Sequence, residues 1–229
     1  MSKNTLDKDL KTFGYVLRRT NYGEADRILN IITPSGKITA IAKGARKSKS
    51  KLAGGVELFS LTDFVIHRGK SEFGIVTSAK MLKYYGEILS DFGKMELAGA
   101  ILKKINQVAE NSDSAEYFDI VDQCLRNLNN GTNLVLVESW FLLNVARALG
   151  EEMNLHRDES GQKLKEDTRY DFDSIQGAFV EKLSGEFGAD EIKMLRFMTT
   201  AELDVVKRVK VEDELLRRNL ALIKVATRQ

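Results

Sequence analysis

The densest chemistry in the chain is Lys43-Gly44-Ala45-Arg46-Lys47-Ser48-Lys49-Ser50-Lys51, nine residues with five cations and no acid. Cations so spaced suit a polyanion: they attract phosphates and release condensed counterions, while glycine and serine keep the segment pliant and add hydrogen-bond donors. The bland alternative is a solvated basic loop without a ligand. The surroundings favour a ligand, because residues 1–85 hold 16 Lys and Arg against 7 Asp and Glu, a net +9, whereas the remainder holds 19 against 26, a net −7. Lys43, Arg46, Lys47, Lys49 and Lys51 are the expected nucleic-acid contacts, with Arg18, Arg19, Arg68 and Lys70 flanking them. A triphosphate-binding P-loop is excluded, since the spacing Gly, four residues, Gly-Lys-Ser/Thr is missing.

Binding a single strand also calls for flat side chains on which bases stack. Tyr15, Tyr22, Phe64 and Phe73 lie in or beside basic segments, but a small barrel must bury some aromatics. Tyr22, in the polar turn Thr20–Glu24, is the one expected outside. Catalytic patterns are poor. His67 and His156 belong to no spaced ligand motif, and His67 is expected on a strand surface. Asp7, Asp9, Glu24 and Asp26 could in principle hold a metal, but Asp9 and Asp26 sit among cations that would pair with them. A lone Cys124 excludes an internal disulfide and any multi-cysteine metal site, and fits a buried small apolar group. No catalytic residue, metal or cofactor is expected.

These residues need positioning elements. Up to residue 85, short β-rich runs alternate with turn residues. Lys11–Arg19 is the first predicted strand, with Phe13, Tyr15 and Leu17 on one side and Gly14, Val16 and Arg18 on the other. Asp26–Thr33 and Lys37–Lys43 flank Thr33-Pro34-Ser35-Gly36, a hairpin turn with the chain's only proline. Leu58–His67 and Phe73–Ala79 flank Arg68-Gly69-Lys70-Ser71. Five strands with basic turns predict an OB-like barrel.

From about Lys94 the apolar period becomes helical. Ala115–Asn130 carries the stripe Tyr117, Ile120, Val121, Cys124, Leu125 and Leu128, with Asp113 and Glu116 as a capping pair. Leu134–Leu149 is apolar nearly all round and belongs at a bundle centre. Thr199–Glu202 reads as the capping box of a last helix with the stripe Val211, Leu215, Leu216, Leu220 and Ile223. Gly150–Phe172 is polar and irregular. The expected fold class is α+β: a five-stranded OB-fold β-barrel over residues 1–85, then an all-helical domain over 86–229. No apolar stretch is long enough to span a membrane and the first ten residues lack a secretory core, so a cytoplasmic protein is expected.

Gly14-Tyr15-Val16-Leu17, Tyr22-Gly23-Glu24-Ala25-Asp26-Arg27, Thr33–Lys37, Lys43-Gly44-Ala45-Arg46-Lys47 and Ser50-Lys51-Leu52 together resemble the opening of the RecO family of DNA repair proteins in order and spacing. The resemblance covers about the first 55 residues closely and the helical remainder more loosely. It implies an N-terminal OB-fold on a helical domain without catalytic activity. The implied role is a recombination mediator that binds single- and double-stranded DNA and anneals complementary strands. The implied partners are RecR and the acidic C-terminal tail of single-stranded DNA-binding protein, with RecA loaded as the outcome. For that tail, Lys103, Lys104, Arg126 and Arg147 are the candidate contacts. Many relatives carry a zinc site built from two Cys-x-x-Cys pairs; here Arg157, Ser160, Glu181 and Ser184 occupy the matching positions, so the segment around 150–185 is expected to be metal-free and held by packing or local hydrogen bonds. The competing readings are an RNA-binding OB-fold protein, a metal-dependent nuclease using the N-terminal acids, and a scaffold whose basic surface serves an acidic protein.

Overall fold

The computed structural model describes residues 9–69, 73–109 and 115–227. The chain divides into two compact units, Met1–Asn129 and Asn130–Gln229. In the first, strands β1 (Asp9–Tyr22), β2 (Asp26–Thr33), β3 (Gly36–Ala42), β4 (Ser60–His67) and β5 (Gly74–Tyr84) close a barrel in the order β1-β2-β3-β5-β4. All pairings are antiparallel except β3 with β5. Helices α1 (Phe92–Val108) and α2 (Glu116–Asn129) complete this unit. The expected capping residue Asp113 lies outside the described residues, as does Lys70.

Val16, Leu29, Ile31, Ala40, Phe64, Ile66 and Val76 fill the barrel. Each such aliphatic or aromatic side chain contributes about 1.5–3 kcal/mol through burial. The β2–β3 hairpin turns where proline and glycine predicted it: Thr33 Oγ1 donates to Gly36 O at 2.8 Å and accepts from Ser35 N at 3.2 Å, and Gly36 has φ +104°.

The alternation expected along β1 fails at one residue. Val16 pairs with Ile31 and Arg18 with Asn30, so Leu17 is an extra residue, a β-bulge. Before it, Val16 points into the barrel and Tyr15 toward α2; after it the phase reverses. Arg19 then lies opposite the core residue Leu29 and faces the barrel mouth, while Arg18, Thr20 and Tyr22 turn outward. Tyr15, Val16 and Leu17 are consecutively buried, because the barrel core lies on one side of the strand and helix side chains on the other. Tyr15 packs on Phe118 and donates to Asp122 Oδ1 at 2.5 Å, with the Tyr85 hydroxyl 3.0 Å away. Desolvation pushes the Tyr15 hydroxyl far above its ordinary range, and hydrogen bonding to the Asp122 carboxylate adds to the shift.

The second unit contains α3 (Leu134–Ala148), a hairpin of β6 (Tyr170–Asp173) and β7 (Ala178–Glu181), then α4 (Ala189–Thr200), the single turn α5 (Leu203–Val206) and α6 (Asp213–Ala226). Helix α3 is buried nearly all round, as its composition predicts, and Trp140 Nε1 and Asn144 Nδ2 donate to Ala201 O and Met198 O at 2.9 and 3.0 Å. The expected capping box at Thr199–Glu202 does not start the last helix. Thr199 and Thr200 instead donate back to Arg196 O at 2.8 and 3.0 Å and end α4, and the last helix begins at Asp213. Among the described residues no helix is long and apolar enough to cross a membrane.

Candidate nucleic-acid interface

The basic segment leaves β3 as a pinned loop. Gly44, at φ +65°, donates its N–H to Asp26 Oδ1 at 2.7 Å, and Arg46 N donates to Ala25 O at 2.9 Å, tying the loop to the β1–β2 turn. Ala45 inserts into the barrel core beside Val56, which anchors the other end. Between these anchors Lys47 N bonds Gly44 O at 3.1 Å and Ser50 N bonds Lys47 O at 3.0 Å. The apolar and backbone groups are thereby consumed internally, while Lys43, Arg46, Lys47, Lys49 and Lys51 all stand exposed. Among the described residues none of the five is in an ion pair; Arg46 makes only a long contact of 3.4 Å to Gly23 O. Five uncompensated cations on an anchored loop form a field that phosphates can neutralise.

The flanking candidates separate. Arg18 is exposed on the outer face of β1, in a row with Asn30 and Thr39. The next outward row is Thr20, Ile28 and Ile41, with both isoleucines half-buried, and beyond it stands Tyr22, 52% exposed. Arg19, on the opposite face, is engaged by Glu57, whose other carboxylate oxygen takes Arg27 at 3.2 Å. Arg68 is exposed at the end of β4. Because β3 and β5 run parallel, with Gly74 and Ile75 opposite Ala40 and Ile41, the β4–β5 turn leads away from the end of β3 where the basic loop begins, so Arg68 is set apart from the loop cations. Of the other aromatics, Tyr15 and Phe64 are buried and Phe73 is half-buried. Ile28 and Ile41 are members of this surface that sequence reasoning missed. Only the strand register reveals that their outward face lies between Tyr22 and the loop.

Lys103, exposed, and Lys104, half-buried, lie on α1. Arg126 on α2 pairs with Asp122 at 3.6 Å, and Arg147, in the other unit, donates to Thr199 O at 2.9 Å. Both arginines thus also make an internal contact, and Arg147 is exposed. Of the N-terminal acids, Asp7 lies outside the described residues, while Asp9 binds His67 Nδ1 at 2.7 Å and Asp26 fixes the loop. Cys124 is buried in α2, where desolvation pushes its thiol up.

The four positions aligned with zinc-binding cysteines do not fit zinc. Arg157 Nη1 donates to Gly161 O at 2.6 Å, Ser160 Oγ donates to Asp158 at 2.7 Å, Glu181 lies 3.9 Å from Lys165, and Ser184 is exposed. A guanidinium, two hydroxyls and a carboxylate cannot replace four thiolates. The segment is held by edge-to-face packing of Phe179 with Tyr170, Phe172 and Phe187 at 6.2, 5.4 and 6.0 Å. The Asp158 carboxylate adds a turn, accepting from Ser160 and Gln162 N–H groups as well as Ser160 Oγ, bonds that hold it below the usual carboxylate range.

A five-stranded barrel with a cationic rim and a second unit whose helices are interrupted by the β6–β7 hairpin, rather than the all-helical domain expected, define an α+β protein of the barrel-and-helix class. Residues 8–85 match the family described as Recombination protein O N terminal and residues 89–228 its counterpart, Recombination protein O C terminal, so the chain belongs to the recombination protein O family. It is similar to the DNA repair protein RecO of Roseiflexus sp. (strain RS-1), 28% identical over 214 residues that cover 90% of this chain and 75% of that protein. The DNA repair protein RecO of Dehalococcoides mccartyi (strain ATCC BAA-2266 / KCTC 15142 / 195) is 28% identical over 221 residues, 93% of this chain and 87% of its own. That of Alkaliphilus metalliredigens (strain QYMF) is 39% identical over 106 residues, 46% of this chain and 43% of its own. Membership places the chain in DNA repair and recombination.

Proposed function

We propose that the chain is a non-enzymatic recombination mediator that binds single- and double-stranded DNA, anneals complementary strands and, with RecR, helps load RecA on strands coated with single-stranded DNA-binding protein. The observation that carries this reading is the anchored loop with five exposed, uncompensated cations beside Arg18 and Tyr22. Such a surface grips phosphates irrespective of sequence, and Tyr22 with the Ile28–Ile41 shelf offers apolar area against bases. The strand order β1-β2-β3-β5-β4, closing on β1, supports an OB-fold. With the backbone held and base edges left outward, a second strand can pair.

Lys103 and Lys104 on α1 remain the candidate contacts for the acidic tail, within a cytoplasmic protein. The reading is tested by annealing complementary strands coated with single-stranded DNA-binding protein, with and without its acidic tail. Tail-dependent annealing is the expected result, and no annealing in either case contradicts it. Weaker binding to RNA than to DNA of equal length, and DNA left intact with magnesium or manganese, are expected as well; the reverse results would favour the RNA-binding and nuclease readings.

A further inference from the structure

The second unit holds a cleft of about 370 Å3 lined by His156, Arg157, Lys163, Leu164 and Arg196. None of the lining residues is an acid, and three are permanently cationic at neutral pH. Two guanidinium groups are pre-oriented by backbone carbonyls: Arg157 Nη1 on Gly161 O at 2.6 Å and Arg196 Nε on Leu155 O at 2.8 Å. Each fork keeps further N–H donors. Arg157 and Lys163 face one another across an antiparallel bridge, and Leu164 N closes the same loop on His156 O at 3.1 Å. Of the acids close in sequence, Asp158 is engaged in its own turn and Glu166 pairs with Lys193 at 3.0 Å. Cations gathered this way repel one another, and an anion in the cleft relieves that repulsion.

We propose that this cleft is a second phosphate-binding site, and that it takes a backbone phosphate of a nucleic-acid strand. The choice of a strand rests on the nucleic-acid reading of the barrel. It is favoured over a small enclosed anion because His156, Arg157 and Lys163 are exposed, leaving the cleft open for a chain to pass. Paired guanidinium forks match phosphate oxygens better than ammonium groups alone. A mediator with one strand on its barrel and another in this cleft would hold both annealing partners.

The test uses the full chain carrying His156→Glu and Lys163→Glu, whose side chains make no described hydrogen bond, with Arg157→Gln as a milder second variant and thermal melts to verify folding. Annealing of complementary labelled oligonucleotides is expected to slow by about tenfold or more, as when a charge field that raises local strand concentration is lost. The slope of log K against log salt for a fluorescein-labelled oligo(dT) is expected to flatten by about 0.7 per lost phosphate contact. If wild type binds and anneals DNA and the folded variants match it in rate and slope, the cleft assignment falls while the barrel reading stands. If wild type binds no DNA, both fall. If inorganic phosphate raises the melting temperature of wild type but not of the variants, and annealing is unchanged, the cleft is a small-anion site and the strand assignment is overturned.

Discussion

At the scale of single residues, neighbours in sequence do different work. Arg18 and Arg19 are adjacent, yet the bulge at Leu17 turns the first to the outer face and the second to Glu57. Arg18→Ala is expected to weaken DNA binding and leave stability alone. Arg19→Ala should cost about 0.5–1 kcal/mol of stability, the worth of a partly exposed ion pair, with a smaller effect on binding. Denaturant titration and fluorescence anisotropy on both variants check the contrast, and equal effects would contradict the assignment of faces. Tyr22→Ala is expected to lose roughly 1–3 kcal/mol of single-strand affinity, the usual worth of one stacked base, and little affinity for duplex. Equal losses on both substrates would remove Tyr22 from the stacking surface. Tyr15→Phe takes the hydroxyl donor from Asp122 Oδ1, leaving the carboxylate only its Arg126 pairing among the described residues, and should cost about 1–3 kcal/mol in unfolding experiments, with binding unchanged in folded protein.

At the scale of elements, close backbone approach sets the barrel. A Cβ on Gly14 would stand 2.2 Å from Ile32 O of the neighbouring strand, so Gly14→Ala must push β1 and β2 apart. It is expected to lower the melting temperature sharply, and a melting temperature equal to wild type would contradict the close approach. The Pro34–Gly36 hairpin, α2 and α3 were legible in sequence because turn residues and apolar stripes are local signals. The bulge was not, because Leu17 suits either face of a strand and only cross-strand pairing exposes the slipped register. The capping motif at Thr199 misled because threonine hydroxyls can bond the carbonyls behind them as readily as the amides ahead. The basic loop was legible because its charge is contiguous, whereas the Glu57 clamp joins Arg19, Arg27 and a glutamate some thirty residues further on. The cleft of the second unit depends on Arg196 returning from α4 to Leu155 O, just ahead of the loop at 156–164, a contact that no local pattern announces.

At the scale of the molecule, the small overall charge of +2 hides a cationic N-terminal part and an acidic remainder. The compact units divide at Asn129, whereas the two family matches meet between residues 85 and 89, so α1 and α2 pack with the barrel while belonging in sequence to the C-terminal match. The central claim is that the anchored loop supplies the dominant, sequence-independent grip on nucleic acid. Its most direct test is the salt dependence of oligo(dT) binding by wild type and by the Arg46→Glu, Lys47→Glu double variant. The Arg46 and Lys47 side chains are exposed and lie outside the core, so the variant should stay within about 0.5 kcal/mol of wild type in stability. Its affinity for strands of any sequence should fall, and the slope of log K against log salt should flatten by roughly 1.4, about 0.7 for each of two contacts. An unchanged affinity and slope in the folded variant would contradict the account.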